Sequence, residues 1–430
     1  MKNLVQIKWM LLFVVFTASA QQEKGIIGAS NWLSNWTEFK PANATYNETN
    51  QILYGKITAN TTLFKKNTYL LQGPVYVTNN AILTIEPGTV IKGDYETNGA
   101  LIITKGSQIV ANGLETDPIV FTSNRPQPKP GDWGGVAILG DAPMNKFGGA
   151  SSLNFDLDPS QTIYGGTNPQ SNSGIVRFLR IEFAGKKIKG FKDYNAFSLA
   201  SVGSKTVIEN VMCSFAAGNS FEILGGDVTV SKLVSLRSSS DDFKFTQGAQ
   251  CKIDNSLAIR HSLYSSSTRS RCMNVTSYEK KEEADLSKNQ TNVTAINCSL
   301  VNTTLTLSDD IAKGLVKEAI YVGNNASFSI KRSVVSGFYP AAILSSEIKL
   351  EASAFKKIKF EEIYFNNCKG NIFVENTTTN DDLEDYYGSG SYYNLYQNTD
   401  NKEMFLDIYN TKNNPDFRIK ISKITASNSK

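Results

Sequence analysis

Phe197-Ser198-Leu199 followed by Val207-Ile208-Glu209-Asn210, Phe221-Glu222-Ile223 followed by Val228-Thr229-Val230, and Phe243-Lys244-Phe245 followed by Cys251-Lys252-Ile253-Asp254-Asn255 write one pattern three times. The leading Phe returns after 24 and then 22 residues. Within each unit a second β-branched run starts about ten residues after the first. Such a unit is too short to hold a helical crossover between parallel strands. It has the length of one coil of a β-solenoid, in which each coil stacks on the next at about 4.8 Å. Alternate side chains then point into a narrow interior, and Phe197, Phe221 and Phe243 form one inward row.

The pattern extends outward from this stretch. Short apolar runs such as Ala81-Ile82-Leu83-Thr84-Ile85, Leu101-Ile102-Ile103 and Pro118-Ile119-Val120-Phe121 precede it. Glu318-Ala319-Ile320-Tyr321-Val322 and Ser333-Val334-Val335 follow it. Gly, Asn, Asp and Ser separate the runs, and Asn and Asp tolerate the left-handed conformation that coil corners need. A β-sandwich is the competing arrangement, but the hairpin dipeptide Asn-Gly occurs only at 98–99 and 112–113. The expected fold is therefore all-β, a single-stranded right-handed parallel β-helix. Its coils span 67–375, with excursion loops near 141–173 and 278–292. Residues 21–66 form an N-terminal segment and cap, and 376–430 a C-terminal covering segment.

Residues 1–20 read as a secretory signal: Lys2 and Lys8, an apolar run over 9–16, then Ala18-Ser19-Ala20. The run is too short to span a bilayer, and no later stretch is apolar enough, so no transmembrane segment is expected after cleavage. The formal charge of +4 falls to +2 once Lys2 and Lys8 are removed, which gives no basis for nucleic-acid binding. Five cysteines (Cys213, Cys251, Cys272, Cys298 and Cys368) contain no CxxC pair, and four of them flank apolar runs as small hydrophobes do. A Cys251–Cys272 bridge is open, because 21 residues is about one coil. Asn-x-Ser/Thr triplets, among them those at Asn274 and Asn302, are glycan acceptors if the chain is a secreted eukaryotic protein; the preferred reading is that an Asn- and Thr-rich chain produces them by chance.

Glu86-Pro87-Gly88-Thr89-Val90-Ile91-Lys92-Gly93, Gly131-Asp132-Trp133-Gly134-Gly135-Val136, Arg177-Phe178-Leu179-Arg180-Ile181-Glu182-Phe183-Ala184-Gly185 and Ser239-Ser240-Asp241-Asp242-Phe243 together resemble a family of exported right-handed parallel β-helix proteins of Bacteroidota with a pectin-lyase-like fold. The resemblance covers most of 67–345. It implies an envelope or secreted protein, mostly without assigned activity in that family. Many members carry a sorting domain for type IX secretion, which is not evident in the Ile421-Ser422-Lys423-Ile424-Thr425 ending. The Pro87-Gly88 pair reads as a tight turn, and the glycines around Trp133 as a close backbone turn beneath a large ring.

Candidate chemistry is sparse. A glycoside hydrolase needs two carboxylates at a set separation. Asp241 and Asp242, with His261 as the only histidine, are the best set, although neighbours on a strand face opposite ways. Their structural alternative is capping of a coil corner. Asp156, Asp158, Asp381 and Asp382 are weak calcium candidates in solvated loops. Tyr386, Tyr387, Tyr392, Tyr393 and Tyr396 offer an aromatic cluster for a sugar or protein contact, or a cover over the last coil. No cofactor is indicated. The expected role is non-enzymatic binding of a polysaccharide or an outer-membrane protein. The alternative is a lyase or hydrolase acting on acidic polysaccharide.

Overall fold

The computed structural model of the chain describes residues 23–265, 270–368, 370–377 and 381–425. The segment read as a signal, 1–20, lies outside them. Each coil carries three short strands, and the strands of successive coils pair in parallel to build three ladders along the solenoid. Ladder A contains Phe197–Ala200, Phe221–Leu224, Phe243–Thr246, Met273–Val275 and Ile320–Val322 in succession. Ladder B runs from Thr61–Leu63 to Ile358–Glu361. Ladder C runs from Gln51–Ile57 to Leu395–Gln397.

The predicted inward row is present. Phe197 is in register with Phe221, Phe221 with Phe243, and Phe243 with Met273. All four side chains are sealed from solvent. The three Phe rings lie 6.2 and 5.3 Å apart in turn, within the range of favourable aromatic pairing. One continuous apolar core fills the interior from Leu63 to Tyr387.

From Phe178 onward each coil passes from ladder B to ladder C through a sharp bend at one residue of positive φ. Phe178, Asn210, Lys232, Asn255, Asn297, Arg332 and Glu362 hold this position in successive coils, with φ between 46° and 55°. Only three of them are the Asn that the conformation favours, so the bend is imposed by the stack and not chosen locally. At Glu86–Thr89 the amide of Thr89 donates to the Glu86 carbonyl, and Gly88 has φ 77°, as a type II turn with Pro at its second position requires. Trp133 is fully buried, stacks on Phe121 and donates its indole N–H to the Glu182 carbonyl at 2.8 Å.

The cysteine spacing was misleading. All five are unbridged. Cys251 lies on ladder B and pairs in register with Val293, 42 residues on, because the intervening coil carries a long excursion. Cys272 precedes a ladder A strand, so 21 residues did not correspond to one turn here.

The outer face of ladder C is covered by two segments that flank the coils in sequence. Residues 23–50 run along it as a strap. Gly25 N–H donates to Arg332 O, Ile26 N–H to Ser299 Oγ and Ile27 N–H to Asn255 Oδ1. Further along, Trp36 packs edge-on to Phe178. The C-terminal hairpin of Phe405–Asp407 and Asp416–Ile419 lies beside the strap. Arg418 donates to Gly28 O at 2.8 Å, and Asn31 to Pro415 O at 2.9 Å. Ile26, Leu33, Trp36, Phe405 and Phe417 share one apolar cluster with Val234, Leu257 and Val301 of the ladder.

Two measurements test this frame. A Cβ at Gly93 would lie 2.4 Å from the Trp133 ring. Gly93→Ala therefore costs about 1–3 kcal/mol of stability, read by chemical denaturation; an unchanged midpoint would contradict the packing. Glu182 is fully buried, and desolvation pushes its carboxyl up to about 7, against the opposing effects of Arg180 and of hydrogen bonds from Thr122 and Tyr46. The folded state thus binds this proton more tightly than the unfolded chain, so stability is lost as pH rises from about 4.5 through about 7. Glu182→Gln removes that slope, worth about 3 kcal/mol across the interval, measured as the pH dependence of unfolding.

Candidate functional site

Residues one step along the strand from the inward Phe row face outward. In register along ladder A these are Ala137, Ser198, Glu222, Lys244, Asn274 and Tyr321. Over the early coils the outward row is roofed. Leu153, Phe155 and Tyr164 of the first excursion, with Tyr194, bury Ile102 and Ala137. From Ser198 onward the row becomes polar; Ser198 and Glu222 are still covered, and the open stretch begins at Lys244. There a groove of about 1050 Å³ opens, with Lys244 and Asn274 in its floor. One wall is the segment 186–194, with Phe191 and Lys192. The other is the excursion after Val275, with Tyr278, Glu279 and Lys280.

A four-membered ion network ties walls to floor. Glu222, without solvent exposure, meets Lys192 at 2.8 Å and Lys244 at 3.0 Å. Glu279 meets the same two ammonium groups at 3.0 and 2.5 Å. Burial alone would raise the pKa of both carboxyls, but the two lysines outweigh it and hold both below the ordinary range. Lys192 responds in kind: burial alone would lower it, but Glu222 and Glu279 keep its ammonium well above the usual value. Beside this network runs a chain of amides, one per coil. Asn219 donates to Asn195 Oδ1 at 2.9 Å, Asp241 N–H to Asn219 Oδ1 at 3.1 Å, and Asn274 Nδ2 to Asp241 Oδ2 at 2.7 Å. Further along, the Arg271 guanidinium lies 4.1 Å from the centre of the Tyr321 ring and its Nε pairs with Glu318.

The sequence candidates separate here. Asp241 lines the groove. Asp242 turns the opposite way and is fully buried; both residues precede the strand Phe243–Thr246, so the corner and not strand alternation sets their directions. It pairs with Arg260 at 2.9 Å and accepts from Ser235 Oγ at 2.5 Å. Arg260 also donates to the carbonyls of Ser240 and Ser238, closing the corner between ladders C and A. His261 accepts from Leu263 N–H at the start of the turn Ser262–Tyr264. Burial and then Arg237 lower its pKa. It does not line the groove, so the three residues form no common site.

The tyrosine cluster mostly covers the last coils. Tyr387 is buried and donates to Ile358 O at 2.8 Å, and Tyr386 stacks on Phe355 at 4.0 Å. Tyr392 packs beside both, and Tyr396 stacks on Phe365. Only Tyr393 stands largely free, at 71% exposure. Of the carboxylates considered for calcium, Asp158 caps the turn Pro159–Gln161 by accepting from Ser160 N–H and Oγ. Asp156 uses its carbonyl to accept from Tyr194. Asp382 is exposed on the helix Asp381–Gly388, and the Asp381 side chain lies outside the described residues. Among the described residues, no three His, Cys, Asp or Glu side chains are placed to share a metal.

Lys192, Glu222, Lys244, Arg271 and Asn274 went unrecognised. Glu222 and Lys244 had a readable signal: each alternates with apolar residues at the same position of successive Phe-led strands. Lys186-Lys187-Ile188-Lys189-Gly190-Phe191-Lys192-Asp193 also marked a break between strand runs.

Three parallel ladders closed around one apolar interior, with a lateral polar groove, define a parallel β-helix protein. The chain belongs to the pectate-lyase-like β-helix domain family, whose profile matches residues 55–404. No curated protein matches it in sequence. Among solved structures it is similar to the crystal structure of pectate lyase Pel9A, with 12% identity and a TM-score of 0.41 over 90% of this chain and 92% of that one. No helix among the described residues is long and apolar enough to cross a membrane.

The placement of the two neighbouring aspartates predicts opposite outcomes for them. Asp242→Ala strands the Arg260 charge in the interior and costs about 3–5 kcal/mol. Asp241→Asn keeps the fold within about 1 kcal/mol. Thermal unfolding of the two variants reads this directly, and equal effects would refute the assignment.

Proposed function

We propose that the chain is an exported protein that binds a glycan along the ladder A groove without cleaving it. The observation that carries this reading is the groove itself: an open, polar channel about 1050 Å³ in size, flanked by the rings of Phe191, Tyr278 and Tyr321. Amide and charged groups suited to hydroxyls line its floor, and aromatic faces suited to the C–H faces of sugar rings stand at its sides. An envelope protein is less well suited to a channel of this kind than a chain of sugar units. Export to the periplasm, the outer-membrane surface or the medium is part of the proposal and rests on the pattern of residues 1–20.

Binding without turnover is supported by the state of Lys192, one of four lysines that line the groove. A lyase removes a proton with a neutral or weakly held base. Lys192 sits between two carboxylates that keep it protonated. Glu222 and Glu279 are themselves engaged by both ammonium groups and so are poor proton carriers.

Phe191 is 45% exposed, so its removal leaves the fold intact. Phe191→Ala weakens glycan affinity about tenfold in affinity electrophoresis, a loss of about 1.4 kcal/mol. The parent protein releases no unsaturated or reducing ends from bound polysaccharide. Steady product formation that disappears on altering a groove residue would replace this reading with that of a lyase or hydrolase.

A further inference from the structure

The electrostatics of the groove bear on the kind of glycan it takes. Its lining holds five cations, Lys187, Lys192, Lys244, Arg271 and Lys280. Each has a carboxylate within 4.0 Å: Asp193 for Lys187, Glu222 and Glu279 for Lys192 and Lys244, Glu318 for Arg271 and Glu283 for Lys280. The lining itself holds four carboxylates, Asp193, Asp241, Glu279 and Glu375, and Glu222, Glu283 and Glu318 reach the same cations from behind it. With Lys146, which shares Glu283, six cations meet seven carboxylates. An anionic polymer entering the groove meets no cation surplus, and to gain an ion pair it has to displace one already formed.

A second, independent observation concerns Asn274. Its side chain lies in the groove floor and is only 5% exposed. The amide orientation follows from its neighbour. Asp241 Oδ2 can only accept, so the Asn274 nitrogen faces it, at 2.7 Å. The Asn274 Oδ1 is left buried with no hydrogen-bond partner. A buried acceptor without a donor is costly, and a ligand that supplies the donor recovers that cost. A carboxylate or sulfate group offers acceptors alone, so this atom is served by a ring hydroxyl or an acetamido N–H and gains nothing from an acidic substituent. Beside it, Arg271 uses Nε for Glu318, and neither Nη has a partner among the described residues. These nitrogens supply donors for a ligand hydroxyl or carbonyl oxygen.

We infer that the groove selects a neutral glycan, bearing hydroxyl or acetamido groups, over acidic polysaccharide, and that Asn274 Oδ1 accepts a hydrogen bond from it. This rests on the glycan-binding reading above and specifies its ligand. The test uses the full chain in affinity electrophoresis against mannan, galactan and chitin oligosaccharides on one side and polygalacturonate and alginate on the other. Each is run from about 50 to about 500 mM salt, a range that strongly screens exposed charges. The expected result is retention by at least one neutral glycan, with affinity changing less than about twofold across that range. Chitin oligosaccharides against the other two separate an acetamido donor from a hydroxyl donor. Asn274→Ala lowers the affinity about tenfold. Arg271→Lys, which keeps the charge beside Glu318 but loses the Nη donors, lowers it as well and serves if Asn274→Ala folds poorly. Binding confined to the acidic polymers and abolished by salt overturns the neutral-ligand inference and leaves glycan binding standing. Retention by none of the five overturns the glycan reading itself.

Discussion

A solenoid of this kind depends on every coil closing to the same cross-section, so that like positions fall on like positions. The bend between ladders B and C carries that demand. Phe178, Asn210, Lys232, Asn255, Asn297, Arg332 and Glu362 all adopt a conformation that costs an L-residue other than Asn or Gly about 1–2 kcal/mol. The stacked strands on either side impose it. In return, the inward rows stay in register, and Phe197, Phe221 and Phe243 meet ring to ring. The outward row is the other face of the same strands, so the groove floor inherits its alignment from the core. Glu222 stands beside Lys244 for the same reason that Phe221 stands beside Phe243.

Much of this was readable from residues alone. The Phe-led repeat revealed the coil, its approximate length and the inward row, because burial in a narrow interior leaves a period of alternating apolar residues. Asp241 and Asp242 face opposite ways because of the corner they occupy before Phe243, which strand alternation alone does not give. What stayed hidden depends on contacts distant in sequence. Lys192 and Glu279 are 87 residues apart and belong to segments without strand pattern, so nothing local announces that they meet. Cys251 and Cys272 misled because excursion length breaks the relation between spacing and coil. The tyrosines of 386–396 were ambiguous because aromatic density serves equally to cover an end or to present a contact, and only burial separates Tyr387 from Tyr393.

The groove combines two kinds of polar group with different consequences. Its ion network is internally complete, and it serves to hold the two wall segments against the sheet. The amide chain is incomplete at one atom, Asn274 Oδ1. The saturated part fixes the shape and the unsaturated part is left to choose a ligand. That division explains why a strongly charged site need not attract charged molecules.

The strap has a consequence for assembly. In most stacked-coil proteins each unit touches only its neighbours, and stability is close to a running sum. Here Gly25 to Ile27 of the strap hydrogen-bond to Asn255, Ser299 and Arg332, and the strap also joins the hairpin of Phe405–Asp407 and Asp416–Ile419 through Arg418. Gly25 to Ile27 are synthesised before all three of these partners and have no docking place until the late coils exist. Such a tie between the strap and coils far along the chain turns a linear array into a loop, and links the fraying of one segment to the fate of the other.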